Sequence, residues 1–153
     1  MRRIEPLLLL AVLRLTLGAL FVWVFFENLG KDLYTPGGYA SLIRYYIEKG
    51  TAPAAWKTVM GFMADHAAVA APAQAATELG LGILLVVGLA TRLVALAAFA
   101  FLTSLWVSEW GTAWIWELLV PMVVAACVAF GGAGRRLGLD AVLAQRYPAI
   151  PLW

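Results

Sequence analysis

The stretch Glu78-Leu79-Gly80-Leu81-Gly82-Ile83-Leu84-Leu85-Val86-Val87-Gly88-Leu89-Ala90-Thr91-Arg92 decides how the chain is read. Its apolar residues extend backwards to Ala67, and a second apolar run begins at Leu93. About 20 such residues, at about 1.5 Å rise each, cross the hydrocarbon of a bilayer. Ala90-Thr91-Arg92 is too short to be more than a turn. The stretch therefore predicts two adjacent membrane spans, about 67–89 and 93–107, the first with a carboxylate at its middle.

Two more spans flank this pair. Residues 7–26 are apolar except for Arg14, and Arg2 and Arg3 precede them. A secretory signal peptide starts in the same way. Arg14 inside the run, the lack of an A-x-A site and the bulky Trp23-Val24-Phe25-Phe26 favour a retained helix. The last span covers about 114–130 and stops at Gly131-Gly132-Ala133-Gly134, because glycines terminate helices. The expected fold is all-α: one integral membrane domain over 1–153, a four-helix bundle with an outer loop at 31–65 and a tail at 131–153.

Composition agrees. Of 153 residues, 63% are hydrophobic and 13% charged, where soluble domains carry roughly 25% charged residues. The net charge of +2 comes with no basic run or stacking pattern, which excludes nucleic-acid binding as a reading. A single cysteine, Cys127, excludes an internal disulfide and a CxxC redox pair, and a single histidine, His66, excludes bis-histidine haem ligation within the chain. No covalent cofactor and no metal is expected.

The outer loop holds two amphipathic patterns. Tyr39, Leu42, Ile43, Tyr46 and Ile47 recur at helical spacing, and Trp56, Val59, Met60 and Met63 repeat it after Thr51-Ala52-Pro53. They fit short helices lying in the interface, or equally a small cap packed on the bundle. Orientation follows from Lys and Arg placement. Arg2, Arg3, Arg92, Arg135, Arg136 and Arg146 fall on one side, and Lys31, Arg44, Lys49 and Lys57 fall in the longer loop on the other. Both termini are therefore expected in the cytoplasm. Trp23, Phe26, Trp106, Trp110, Trp114 and Trp116 gather at the opposite face as an aromatic belt.

Ionisable residues inside a span cost about 2.5–3.5 kcal/mol and usually have a partner or a purpose. Three stand out: Arg14, Glu78 and Glu117. They lie about 12, 18 and 21 Å from the cytoplasmic ends of their helices. One reading is a polar pocket lined by Glu78, Glu117 and Glu27 with walls such as Trp114, holding a quinone headgroup and passing it protons. Glu78, Glu117 and Arg14 are then the catalytic candidates. The other reading is structural: Arg14 and Glu78 pair across an offset of about 6 Å to fix helix register. Side chains lean towards the N-terminus of their helix, which lengthens that gap between antiparallel helices. Gly80 and Gly82 point to close helix packing. Gly131 to Gly138 is no dinucleotide fingerprint, because no strand precedes it. Arg135 and Arg136 suit lipid phosphates, and His66 alone is an ordinary interfacial residue.

Leu13-Arg14-Leu15-Thr16-Leu17-Gly18, Gly30-Lys31, the Glu78–Arg92 stretch and Gly138-Leu139-Asp140 together resemble DoxX-like membrane proteins. The longer loop with Tyr39, Tyr46 and Gly50 is more similar to the DoxD branch. The resemblance implies a four-helix protein of the bacterial inner membrane and recurrent polar positions at Arg14, Lys31, Glu78, Arg92 and Asp140. It also implies partner subunits in a membrane complex, in the DoxD case a thiosulfate:quinone oxidoreductase. Three functions remain open: a subunit of a quinone-linked oxidoreductase, a non-catalytic accessory subunit that stabilises a larger complex, and a small transporter. Four helices are few for the last unless the chain oligomerises.

Overall fold

In the computed structural model, which describes residues 5–147, every regular element among those residues is helical. The helices are α1 (Pro6–Gly30), α2 (Pro36–Lys49), α3 (Ala54–Asp65), α4 (Ala67–Val87), α5 (Thr91–Ser108), α6 (Ile115–Gly131) and α7 (Leu139–Arg146). A 3-10 turn, Ala133–Arg135, links α6 to α7. Arg2 and Arg3, used above for orientation, lie outside the described residues.

Among the described residues three helices are long and apolar enough to cross a membrane: α1, α4 and α5. The expectation of four full spans meets a shorter fourth helix. α6 is apolar but has 17 residues, about 26 Å at helical rise, against a hydrocarbon core of about 30 Å. Both limits are local. Trp114 is extended, so the helix starts after it, and Gly132 takes φ +71 and ends it.

α1 packs on α4 and α6, and α5 packs on α4 and α6. Leu17, Phe21, Leu85, Ala98, Leu102 and Val128 fill the space between them. The outward faces are apolar too, with Leu9, Val12, Ile83, Leu93 and Val123 exposed. An apolar exterior around a packed core suits lipid rather than water. At the α1–α4 crossing the backbones come close. A Cβ on Gly82 would stand 3.1 Å from the Val22 nitrogen and 3.2 Å from the Gly18 carbonyl oxygen. Gly80 faces open space, so only one of the two glycines in this motif serves the crossing.

α2 and α3 form a cap seated on one end of α4 and α5. Thr35 starts α2, its hydroxyl accepting from the Gly38 N–H at 3.1 Å, with Pro36 in the first turn. Tyr39, Ile43, Met60 and Ala64 then bury against Ala67 and Ala71 of α4. The helical face read from the sequence holds for α2. In α3 it is rotated: Val59 is exposed and Ala64 is buried in its place.

The opposite end is closed by the tail. The Asp140 carboxylate accepts from the Ala90 N–H at 2.7 Å and the Thr91 N–H at 2.8 Å. It thereby caps α5 from some fifty residues downstream. The Asp140 N–H returns a bond to the Gly88 carbonyl at 2.9 Å. A carboxylate at a helix N-terminus satisfies otherwise orphaned donors and opposes the helix dipole favourably.

Candidate functional site

The structure separates Arg14 from Glu78, so the expected pair does not form. The Arg14 guanidinium donates from Nη2 to the Leu137 carbonyl at 2.6 Å, at the tail end of the bundle. Glu78 takes its partners at the cap end, among them Asn28, which is fourteen residues further along α1 than Arg14. Fourteen residues of helix span about 21 Å. The lean of side chains towards their helix N-termini carries Arg14 to one end and Glu78 to the other.

Glu78 is 2% exposed. Its Oε1 accepts from the Gln74 amide at 2.9 Å, one turn back on α4. Its Oε2 accepts from the Asn28 amide at 3.1 Å and from the Tyr34 hydroxyl in the α1–α2 turn. Three donors from three elements converge on one carboxyl, and Phe25 stacks on the Tyr34 ring at 5.3 Å to hold it there. Burial and the bond to Glu78 push the Tyr34 phenol above its ordinary range, so it stays a donor.

This carboxyl forms part of the wall of a cavity of about 780 Å³ between the cap and the helices. The size lies within the range of about 300–1,000 Å³ usual for small-molecule sites. Ile43, Met60, Met63, Phe101 and Leu118 supply apolar walls. Across from Glu78 the cavity reaches Glu109, which follows the end of α5 and accepts from the Tyr46 hydroxyl at 3.3 Å. Burial, reinforced by the nearby Glu117 charge, raises the Glu109 carboxyl above its ordinary range despite the Tyr46 bond. Trp56 closes the same rim, its indole N–H donating to Ser108 at 2.9 Å.

The other residues picked out from the sequence lie elsewhere. Glu117 is exposed in the first turn of α6. Trp114 is 67% exposed and stacks on Trp116 at 5.1 Å, away from the cavity. Glu27 pairs with Lys31 at 2.5 Å and borders a separate open groove between α1 and α4, beside Trp23 and Phe26. Of the residues expected around a shared pocket, only Glu78 lines the enclosed cavity. Asn28, Gln74, Tyr39, Tyr46 and Glu109 were not expected there, nor was the bond from Tyr34 to Glu78. Gln74 was open to prediction, since it sits four residues from Glu78 on one helix face. Tyr34 and Glu109 were not, because only the tertiary fold brings Tyr34 to Glu78 and Glu109 to the cavity.

Arg14 and Arg92 lie at the tail end, and His66 lies at the cap end, between α3 and α4. Arg14 is fully buried, and a Cβ at Gly88 would stand 1.5 Å from its Nη1. Arg92 reaches the Ala129 carbonyl at 3.4 Å. His66 is bound within its own turn, to the Phe62 carbonyl at 2.8 Å. No group of three or more His, Cys, Asp or Glu side chains that could hold a metal ion occurs among the described residues.

Membrane-length apolar helices, an apolar exterior and charges confined to the two ends and one cavity define a helical membrane protein. The DoxX family model matches residues 9–109, more than half of the chain, and the protein belongs to the DoxX family. The chain matches no curated protein and no solved structure.

Proposed function

We propose that this DoxX protein is the membrane subunit of a quinone-linked redox complex and that its cavity receives the quinone headgroup. The supporting observation is the buried Glu78 carboxyl, which faces a cavity of small-molecule size while Asn28, Tyr34 and Gln74 fix its direction. A quinone reduced there takes up two electrons and two protons to give the quinol. The Glu78 carboxyl stands at the cavity wall where it can pass protons to the headgroup, the three donors orient its oxygens, and the cap covers the site. The electrons come from a reductant on a partner subunit. The only cysteine, Cys127, is exposed on α6, so if the chain is of the DoxD branch, the sulfur chemistry of a thiosulfate:quinone oxidoreductase falls to that partner.

In the same reading α6 is a fourth, slightly short span, and the chain lies in a bacterial inner membrane with both termini cytoplasmic. The cap and cavity then face the periplasm. The test is Glu78→Gln in the full protein, scored by quinone retained on purification and by quinone reduction in membranes. Loss of both supports the reading, and unchanged retention and turnover overturn it.

The stacked, exposed pair Trp114 and Trp116 favours a second role, accessory packing against a larger complex. In that case deletion of the protein lowers assembly of the partner, while Glu78→Gln leaves it intact.

A further inference from the structure

The polar lining of the cavity contains one exception. Asn28 and Gln74 each donate to Glu78, Tyr46 donates to Glu109, and Trp56 donates to Ser108. Thr77 and Ser104 donate to carbonyls of their own helices, and Lys31 is held by Glu27. Tyr39 differs. The residue is 2% exposed, it lines the cavity, and its hydroxyl has no hydrogen-bond partner among the described residues.

A buried hydroxyl left unpaired costs about 1–3 kcal/mol, and phenylalanine would fill the same space without that cost. The ring is also fixed. Tyr39 lies in the capped first turns of α2, its N–H bonded to the Thr35 carbonyl at 2.9 Å, and its body is buried among Ile43, Met60 and Ala64. Burial and the Glu78 charge push its phenol up, so it presents an O–H donor. The position therefore calls for a ligand atom that accepts.

The walls restrict which acceptor can enter. Glu78 and Glu109 both line the cavity, and the one cation there among the described residues, Lys31, pairs with Glu27. Two carboxyl groups disfavour an anion. The surrounding Leu42, Ile43, Met60, Met63, Phe101 and Leu118 favour an apolar body. A neutral, largely apolar molecule with a carbonyl oxygen meets all three conditions.

We propose that the Tyr39 hydroxyl donates the hydrogen bond that anchors a ring carbonyl of the quinone, and that the cavity admits neutral carbonyl ligands and rejects long-chain carboxylates. This rests on the reading of the cavity as a quinone site. The anchor and the Glu78 carboxyl then hold the headgroup between α2 and α4.

The test uses the full chain in detergent, with a benzoquinone carrying a decyl tail as the probe and palmitate as competitor. Tyr39→Phe keeps the ring and removes only the hydroxyl. Without ligand it is expected to be at least as thermostable as the parent, since nothing in the fold loses a bond. Its quinone affinity is expected to fall on the order of tenfold. Palmitate at equal concentration is expected to leave quinone binding to the parent unchanged. Equal quinone affinity in Tyr39→Phe overturns the anchor while leaving the cavity reading standing. A drop in ligand-free stability places the hydroxyl in the fold's own bonding and also overturns it. Competition by palmitate overturns the exclusion of carboxylates. Failure of the parent to bind the quinone removes the cavity reading and the anchor together.

Discussion

Arg14 on the first helix donates to the carbonyl of Leu137, 123 residues later, at 2.6 Å. The arginine is fully buried, Asp140 attracts it, and Gly88 and Gly138 leave room for its Nη1. This contact ties the tail to α1. Its removal leaves the Leu137 carbonyl without this donor and Asp140 without the positive charge it attracts. Arg14→Ala should lower stability by about 2–4 kcal/mol. The check is thermal unfolding in detergent, and a shift within error of the parent would remove the tie from the account.

Asp140 acts on the same junction from the other side. Its two oxygens cap the Ala90 and Thr91 N–H groups. Asp140→Ala should cost about 1–2 kcal/mol through the lost cap. The double variant with Arg14→Ala should cost less than the sum of the two, by roughly 1 kcal/mol, since neither charge is then left without the other. Strict additivity measured in the same unfolding assay would show that the two residues act independently.

The glycines two apart in α4 give a paired prediction. Gly82→Ala drives a methyl to 2.8 Å from Val22 Cγ2, and the Val22 nitrogen at 3.1 Å and the Gly18 carbonyl oxygen at 3.2 Å crowd it as well, so a shift of the valine side chain alone does not clear the site. It should destabilise by about 1–3 kcal/mol. Gly80→Ala meets nothing within 4 Å and should be neutral or stabilise by up to about 1 kcal/mol from helix propensity. Equal effects of the two substitutions in thermal unfolding would contradict the α1–α4 crossing.

Much of this architecture was legible in the sequence, because long apolar runs leave little choice of structure in lipid. A short turn between the second and third spans and the α2 face carrying Tyr39, Ile43 and Tyr46 followed from length and period, but the turn falls at Gly88-Leu89-Ala90, two residues before the expected one, and Thr91 and Arg92 open α5. The pairing of Arg14 with Glu78 did not hold. Height along a helix gives an offset, but it does not say which neighbour's end supplies the better partner. Here a carbonyl in the tail and an amide at the end of α1 both compete successfully. The cavity was legible only through Glu78. Its other carboxyl, Glu109, stands in the sequence just past an apolar run with nothing to mark it, and burial by the cap sets it apart.

That burial makes Glu109 a source of pH dependence. Its folded-state pKa is raised above the ordinary 4.5, mainly by burial and further by the Glu117 charge, with the Tyr46 hydroxyl opposing. The unfolded chain therefore ionises this group first. Between 4.5 and the higher folded value the folded state holds more protons, and stability falls as pH rises. Below that window the group is protonated in both states and costs nothing; above it the full penalty persists. Glu109→Gln keeps an acceptor for Tyr46 and removes the titration. The variant should match the parent in thermal midpoint at pH 4 and exceed it at pH 7, with the difference opening as pH rises past about 4.5. Glu117→Gln should narrow the parent's window, because it removes the charge that helps to raise Glu109. A Glu109→Gln effect of the same size at both pH values would mean that packing, and not ionisation of the carboxyl, sets its contribution.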